Sequence, residues 1–355
     1  MQLTISAAMF TIHTNMVDKD AIRRHAIELI AAANPGVAGK LARTFGLSRQ
    51  MAHRYLQELV RSGLVVATGN TRARIYRLAT THDAQRTYAR KGLREDIVMR
   101  EVFAPALSGL PEHVRDIWAY GVTEMVNNAI EHSAAGQVRV AVQRNALFAD
   151  GWVVDDGVGI FTKIQQALGL YDPREALLEL AKGKVTTDPA HHTGEGVFFT
   201  SRSFDLFLIR SGTLTFTHDE SPLDVLVEDT PPARGTSVRL RLRHDSPRRL
   251  RAVFDAFTTP GEFTFSRTVV PVRLAQYEGE KLISRSQARR VALHFERFRQ
   301  VVLDFAGVVE IGQAFADELF RVFAQAYPDV HLSPTNMTPD VELMVRRAGH
   351  REGIT

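Results

Sequence analysis

The chain has 355 residues, 45% hydrophobic and 24% charged, with no cysteine and a net charge of +4. That length exceeds one typical core, so two or three domains are expected. The absence of Cys excludes disulfides and thiolate metal sites and fits a reducing compartment. No apolar run approaches the roughly 20 residues needed to cross a bilayer, and Met-Gln-Leu-Thr-Ile-Ser at the N-terminus has none of the pattern of a secretory leader. A cytoplasmic protein with no membrane partner is expected.

Residues 1–14 alternate weakly, as in a short strand. From Val17 to Ala33 the apolar residues Ile22, Ala26, Ile27 and Ile30 recur at helical spacing, until Asn34-Pro-Gly breaks the pattern. A second helix is expected over Val37 to Phe45. A third should start at Ser48, its N-cap, and run to about Ser62. Met51, Tyr55, Leu56 and Leu59 are expected to be its buried face, with Arg49, Gln50, His53 and Arg54 turned outward. Two strands follow around Gly69-Asn70, with Arg72 and Arg74 at the hairpin tip. Residues 15–80 hold eleven Lys or Arg against four Asp or Glu, a balance of +7, whereas the rest of the chain sums to −3. Such local asymmetry points to an acidic partner for this segment.

The order helix, helix, turn, helix, hairpin resembles a winged helix-turn-helix, which implies a DNA-binding domain over 15–80 with double-stranded DNA as partner. Arg and Gln at the start of the third helix suit base edges in the major groove. Arg72 and Arg74 suit phosphate or the minor groove. Ser48, Arg49, Gln50, His53, Arg54, Arg72 and Arg74 are the candidate contacts. Thr80 to Arg94 is polar and basic, and is expected to be a linker or connecting helix.

Chemistry concentrates in the middle of the chain. Read as a helix, Glu124-Met-Val-Asn-Asn-Ala-Ile-Glu-His132 places Glu124, Asn128, Glu131 and His132 on one polar stripe, where a buried helix normally carries apolar residues. Val122, Met125, Val126, Ala129 and Ile130 form the opposite, apolar side. Further on come Asp155-Asp-Gly-Val-Gly159, His192-Thr-Gly-Glu-Gly-Val197 and Gly235-Thr-Ser-Val-Arg-Leu. A lone Asp-x-Gly-x-Gly is a weak signal. Four such motifs in this order are far more specific.

Together they resemble the GHKL group of ATP-binding domains (gyrase, histidine kinases, MutL and relatives) over residues 95–245. The nearest type is the anti-sigma serine kinases, which share the pattern of Asn128-Ala-Ile-Glu-His132. The resemblance implies an α/β-sandwich of Bergerat type that binds ATP and Mg²⁺. It makes Glu124 the catalytic base and Asn128 the Mg²⁺ ligand. Asp155 becomes the acceptor for the adenine amino group, Gly157 and Gly159 the loop against the base, and Thr236 a water-mediated adenine contact. Gly194 and Gly196 become part of a lid around the phosphates, with His132 a phosphate-side contact. Elementary chemistry agrees: a carboxylate and an amide one turn apart can share a hydrated Mg²⁺, and phosphoryl transfer needs positioning, charge neutralisation and an oriented nucleophile. In the loop between Ala181 and His192, Lys184 is a candidate γ-phosphate contact, while Lys182, Lys184, Thr186 and Thr187 also fit an ordinary solvated loop. His191 and His192 lack a third residue that would suggest a metal.

Asp245 to Gly261, polar and rich in turn residues, is expected to be a domain boundary. Beyond it strands and helices alternate: strands over 263–274, a helix over 284–298, a strand over 300–305, a helix over 311–326 and a last short strand at Val330. This is the pattern of a small α/β layer over 262–355. Leu303-Asp-Phe-Ala-Gly-Val-Val-Glu-Ile311 resembles the STAS fold of anti-sigma-factor antagonists, nearest its STAS-like variant. Where those antagonists carry a phosphorylatable serine pair, this chain has Gly312-Gln313-Ala314. The resemblance therefore implies a module for docking a protein partner, for dimerisation or for sensing, beside the plainer reading of a structural cap.

The expected whole is a multidomain α+β protein. It would be an ATP-binding, DNA-binding regulator whose DNA or partner binding responds to MgATP, acting as a homodimer if its DNA site is two-fold. An anti-sigma-type protein serine kinase and the ATPase of a DNA-directed defence or repair complex remain alternatives. A histidine kinase is disfavoured, since no histidine-bearing dimerisation hairpin precedes the ATP segment.

Overall fold

A computed structural model describes residues 18–70, 74–184, 194–219, 225–258, 265–276 and 280–349. The expected strand at 1–14, and the expectations on Arg72, Thr186, Thr187, His191 and His192, lie outside these residues. The chain divides into two compact units, one made of the residues up to Thr81 with Asn145–Leu147, the other of His82–Arg144 and the residues from Phe148 on.

The first unit holds α1 (Lys19–Ala31), α2 (Val37–Phe45), α3 (Arg49–Arg61), β1 (Val65–Thr68) and β2 (Ile75–Leu78), the two strands being antiparallel. Each helix has its own start signal. The Asp18 carboxylate accepts from the Asp20 amide, and the Ser48 hydroxyl accepts from the Met51 amide at 3.1 Å, so each satisfies an orphan donor of the first turn. Ile22, Ala26, Ile30, Leu41, Leu56 and Leu59 form the core. Met51 is a correction to the sequence reading: it is 42% exposed, and Ala52 takes its place in the core. The apolar stripe of α3 is Ala52, Tyr55, Leu56 and Leu59, which follows the helical period one residue later.

The second unit opens with β3 (His82–Ala89), an edge strand paired antiparallel with β4 (Gln137–Arg144). The segment expected to be a linker or helix is therefore part of a sheet. Between these strands run α4 (Glu95–Val98), a π-helical turn, α5 (Ala104–Ala106) and α6 (Glu112–Asn127). The sheet continues through β5 (Phe148–Asp155) and, after α7 (Ile160–Leu168), α8 (Pro173–Lys182) and α9 (Gly196–Ser203), through β6 (Leu206–Asp219) and β7 (Val225–Arg243). Its order is β3-β4-β5-β7-β6, antiparallel throughout. Alternation puts Val138, Val140, Val142, Val153, Val238, Leu240, Leu242, Phe207 and Ile209 on one buried face. The helices cover that face. Gly151 lets the Trp118 ring approach the sheet: a Cβ there would lie 2.6 Å from it.

The expected boundary at 245–261 is also corrected. It contains α10 (Leu250–Asp255), and Phe254 and Phe257 pack on Phe199 and Phe198 of α9. A three-stranded parallel sheet follows, formed by β8 (Arg267–Pro271), β9 (Gln300–Asp304) and β10 (His331–Thr335) in the order β10-β9-β8. Its helices are α11 (Arg285–Ala292), α12 (Gln313–Asp317), α13 (Ala324–Ala326) and α14 (Pro339–Gly349). A capping box starts α11, with Ser284 and Gln287 bonded to each other's backbone amides. This helix stops at Ala292, shorter than expected, because the Leu293 carbonyl accepts from a lysine ammonium and His294 turns left-handed at φ +63°. Helix α14 is an addition to the expectation, signalled by Thr338-Pro339 and capped by the Thr338 hydroxyl. This layer and the five-stranded sheet share one hydrophobic core rather than forming separate bodies. Among the described residues no helix is long and apolar enough to cross a membrane.

Candidate functional site

Helix α6 does not stop at Asn127. Its backbone continues as a π-helical turn over Asn128–His132, a device that widens one turn and is common at functional sites. Spaced by four across this junction, Glu124, Asn128 and His132 line one cavity of about 290 Å³. Glu131 is exposed, its carboxylate 4.0 Å from the His132 ring, and does not line it. The turn closes through Ser133, whose hydroxyl donates to the Ala129 carbonyl at 2.5 Å and accepts from the Ala135 amide.

The opposite wall comes from the sheet. Asp155 ends β5 directly across from Thr236 of β7, so the pairing joins two residues 81 positions apart. Asp155 Oδ1 accepts from the Gly157 amide at 2.9 Å and the Thr236 amide at 3.3 Å. The Thr236 hydroxyl accepts in turn from the Ile160 amide at 3.0 Å. Burial pushes the Asp155 carboxyl above its ordinary range, although these amides pull the other way. Two glycines make the arrangement possible. Gly157 rests on the Ser133 carbonyl, which a Cβ would overlap, and Gly235, at φ +70°, rests in the same way on the Asp155 carbonyl. The Gly-rich loop is thereby seated on the end of the polar helix, with the Val158 amide donating to the Ser133 carbonyl at 2.9 Å.

The third wall is the start of α9. Gly194, Glu195, Gly196 and Val197 line the cavity, and a Cβ on Gly196 would overlap the Glu124 carboxylate. The positive end of α9 therefore faces that carboxylate. Burial raises the Glu195 carboxyl, and burial together with the neighbouring Glu124 and Glu195 charges raises the Tyr120 hydroxyl. Two carboxylates that line the cavity, Glu124 and Glu195, thus stand near the Tyr120 hydroxyl.

Of the residues expected from sequence, Glu124, Asn128, His132, Asp155, Gly159, Gly194, Gly196 and Thr236 line this cavity. Gly157 lies beneath it as a support. Lys184 departs from expectation: its ammonium donates to the Arg297 carbonyl at 2.9 Å and lies over the Phe265 and Phe298 rings, and it does not line the cavity. Its backbone is left-handed, at φ +57°. Lys163 was missed. It lines the cavity and donates to the His132 carbonyl at 2.6 Å, and burial lowers its ammonium below the ordinary value. The available signal was a lone cation in the apolar and amide-rich helix after the Gly-rich turn. Glu195, between two glycines already singled out, was missed in the same way.

In the first unit, Arg49, Gln50, His53 and Arg54 are all exposed on α3, beside the exposed Met51. Arg54 pairs with Glu58 at 3.5 Å one turn along, and Glu58 also meets Arg23. Arg74 lies over the Tyr76 ring. Arg49, Gln50, His53 and Arg54 make the N-terminal half of α3 a basic, amide-bearing exposed stretch.

No curated protein matches the chain. Residues 287–342 match a family model described as a STAS-like domain of unknown function (DUF4325), so the C-terminal layer is a STAS-like domain.

Proposed function

We propose that this protein is an ATP-binding, DNA-binding regulator. The observation that carries the reading is the cavity itself. One oxygen of a carboxylate, Asp155, is held by two backbone amides at one wall, and Glu124, Asn128 and His132 stand in a row on another. A volume of about 290 Å³ is at the lower edge of the range for small-molecule sites, roughly 300–1,000 Å³. The mixed lining suits an adenine nucleotide. Val153, Ile164, Ile209 and Val238 offer apolar contact to a flat base, and Asp155 offers an acceptor to an exocyclic amine. With both amide bonds on Oδ1, Oδ2 is the oxygen that Asp155 would turn to that role.

When bound, MgATP supplies a transferable phosphoryl group and a divalent cation. Asn128 would hold the cation through its side-chain oxygen, with water completing the shell. Lys163 and the amides at the start of α9 would meet phosphate oxygens. Glu124 would orient the attacking water by accepting its proton. The DNA-binding half rests on α3, where Arg49 and Gln50 suit base edges and the +7 balance of the segment suits phosphate. Two copies would read a two-fold site. The STAS-like domain would receive a protein partner or a signal.

Footprinting of the full chain on its own upstream DNA tests both halves, with no nucleotide, with MgATP and with a non-hydrolysable analogue. Sequence-specific protection that changes with nucleotide is expected. Arg49→Ala should weaken it about fivefold or more, at roughly 1–3 kcal/mol per base-reading arginine. Asp155→Asn should abolish the nucleotide effect and leave basal DNA binding intact. No protected site under any condition would reject the regulator reading, and full ATP affinity in Asp155→Asn would reject the adenine assignment.

A further inference from the structure

The cavity and the STAS-like domain are joined by a buried set of charges. Leu180 of α8 lines the cavity. Two residues on, Lys182 is 1% exposed, and its ammonium donates to the Glu179 carboxylate at 2.5 Å and the Leu293 carbonyl at 2.9 Å. Glu179, 2% exposed, also meets His294 Nδ1 at 2.8 Å. The Thr268 hydroxyl of β8 donates to the Lys182 carbonyl at 2.6 Å. Lys184 and Arg297 then exchange bonds, each donating to the other's carbonyl at 2.9 and 3.0 Å. Arg290 adds an ion pair to Glu175 at the start of α8.

A second tie runs through α9. Gly196 and Val197 line the cavity, and the next residue, Phe198, packs its ring 4.7 Å from Phe265, which lies 5.4 Å from Phe298. Residues 290–298 therefore hold α8 directly and α9 through Phe265, two of the helices that wall the cavity. Burying a cation and an anion here costs desolvation that an apolar pair would avoid, so stability alone does not account for them. The backbone at the joint is also unusual. Lys184 and His294 are non-glycine residues in the left-handed region. Such strain gathers at parts that switch.

We propose that the STAS-like domain regulates the cavity through this joint, with Glu179, Lys182 and His294 as the coupling residues. A signal that shifts residues 290–298 resets α8 and α9, and a ligand in the cavity is felt at 290–298 by the same route, as reciprocity requires. The proposal rests on the reading of the cavity as a nucleotide site.

Hydrogen exchange of the full chain, with and without MgATP, provides the test. Peptides from 285–298 are followed together with binding of a fluorescent adenine nucleotide. In the wild type, nucleotide should change exchange in 285–298. His294→Asn tolerates the left-handed backbone but is too short to keep the Glu179 contact. It should still bind nucleotide, with affinity altered about fivefold or more, and should lose the response at 285–298. His294→Gln, which can restore a donor near Glu179, should recover part of that response. Wild type that binds nucleotide with no change at 285–298, or a response that survives in His294→Asn, overturns the coupling alone. Wild type that binds no adenine nucleotide overturns the nucleotide reading and the proposal with it.

Discussion

Replacing Lys182 with Met tests how the two layers of the second unit are held together. Methionine keeps most of the length and apolar volume of the lysine stem, so the change is largely removal of the ammonium. That ammonium is 1% exposed and has Glu179 and the Leu293 carbonyl as close partners, with the Arg290 carbonyl at 3.4 Å. Without it, a carboxylate that is 2% exposed keeps only His294 and loses its main compensation. At present burial pushes the Glu179 carboxyl up, and Lys182 and His294 together outweigh that and hold it below the ordinary range. Breaking one side of a buried pair costs about 3–5 kcal/mol. For a unit of this size, at roughly 2–4 °C per kcal/mol, the melting temperature should fall by roughly 6–20 °C. Differential scanning fluorimetry at neutral pH reads this directly. The Glu179→Gln/Lys182→Met double variant buries no charge at the site and should melt closer to wild type than Lys182→Met does. A single variant within about 1 °C of wild type, or a double variant as costly as the sum of the singles, would refute the assignment of a compensated buried pair.

Two further outcomes follow from the cavity. Because burial raises Asp155, its contribution to stability is present below the ordinary carboxylate value and is lost as pH rises through its higher native value. Asp155→Asn has no proton to lose, so it should melt above wild type at pH 7 and match it near pH 4; the same melting curve at both pH values would show that Asp155 is not desolvated. Gly196→Ala forces the Glu124 carboxylate aside, since the new Cβ overlaps it. ATP turnover should drop at least about tenfold with the far-ultraviolet circular dichroism unchanged, and wild-type turnover would remove Glu124 from its proposed role.

Local patterns carried much of the outline. Helical spacing in Ile22, Ala26 and Ile30, the Ser48 cap, the break at Asn34-Pro-Gly and the end of the third helix near Ser62 are short-range effects, legible because each depends on a few adjacent residues. The same holds for the helix start at Ser284 and for the polar character of Glu124, Asn128 and His132. The STAS-like segment was recognisable from its strand and loop, and Gly312 shows why no serine replaces it there, since a Cβ would lie 2.7 Å from the Ile283 Cα.

Long-range pairing decided the rest. The β3 segment reads as a linker because its sequence, His82-Asp-Ala-Gln-Arg-Thr-Tyr-Ala89, is mostly polar; only an edge position beside β4, with one face wet, makes it a strand. Met51 and Ala52 differ by a rotation of one residue, which packing against α1 and α2 settles and periodicity alone leaves open. Asp155 meets Thr236 through sheet register, and Glu195 meets Tyr120 and Glu124 through the docking of α9 on α6. Lys182 looked like a loop charge because no sequence pattern announces a partner such as the Leu293 carbonyl, 111 positions away. Sequence alone determined which chemical groups are available and the local elements that carry them. Tertiary structure decided which groups share a cavity and which charges are buried, because burial and register depend on contacts between residues that are distant along the chain.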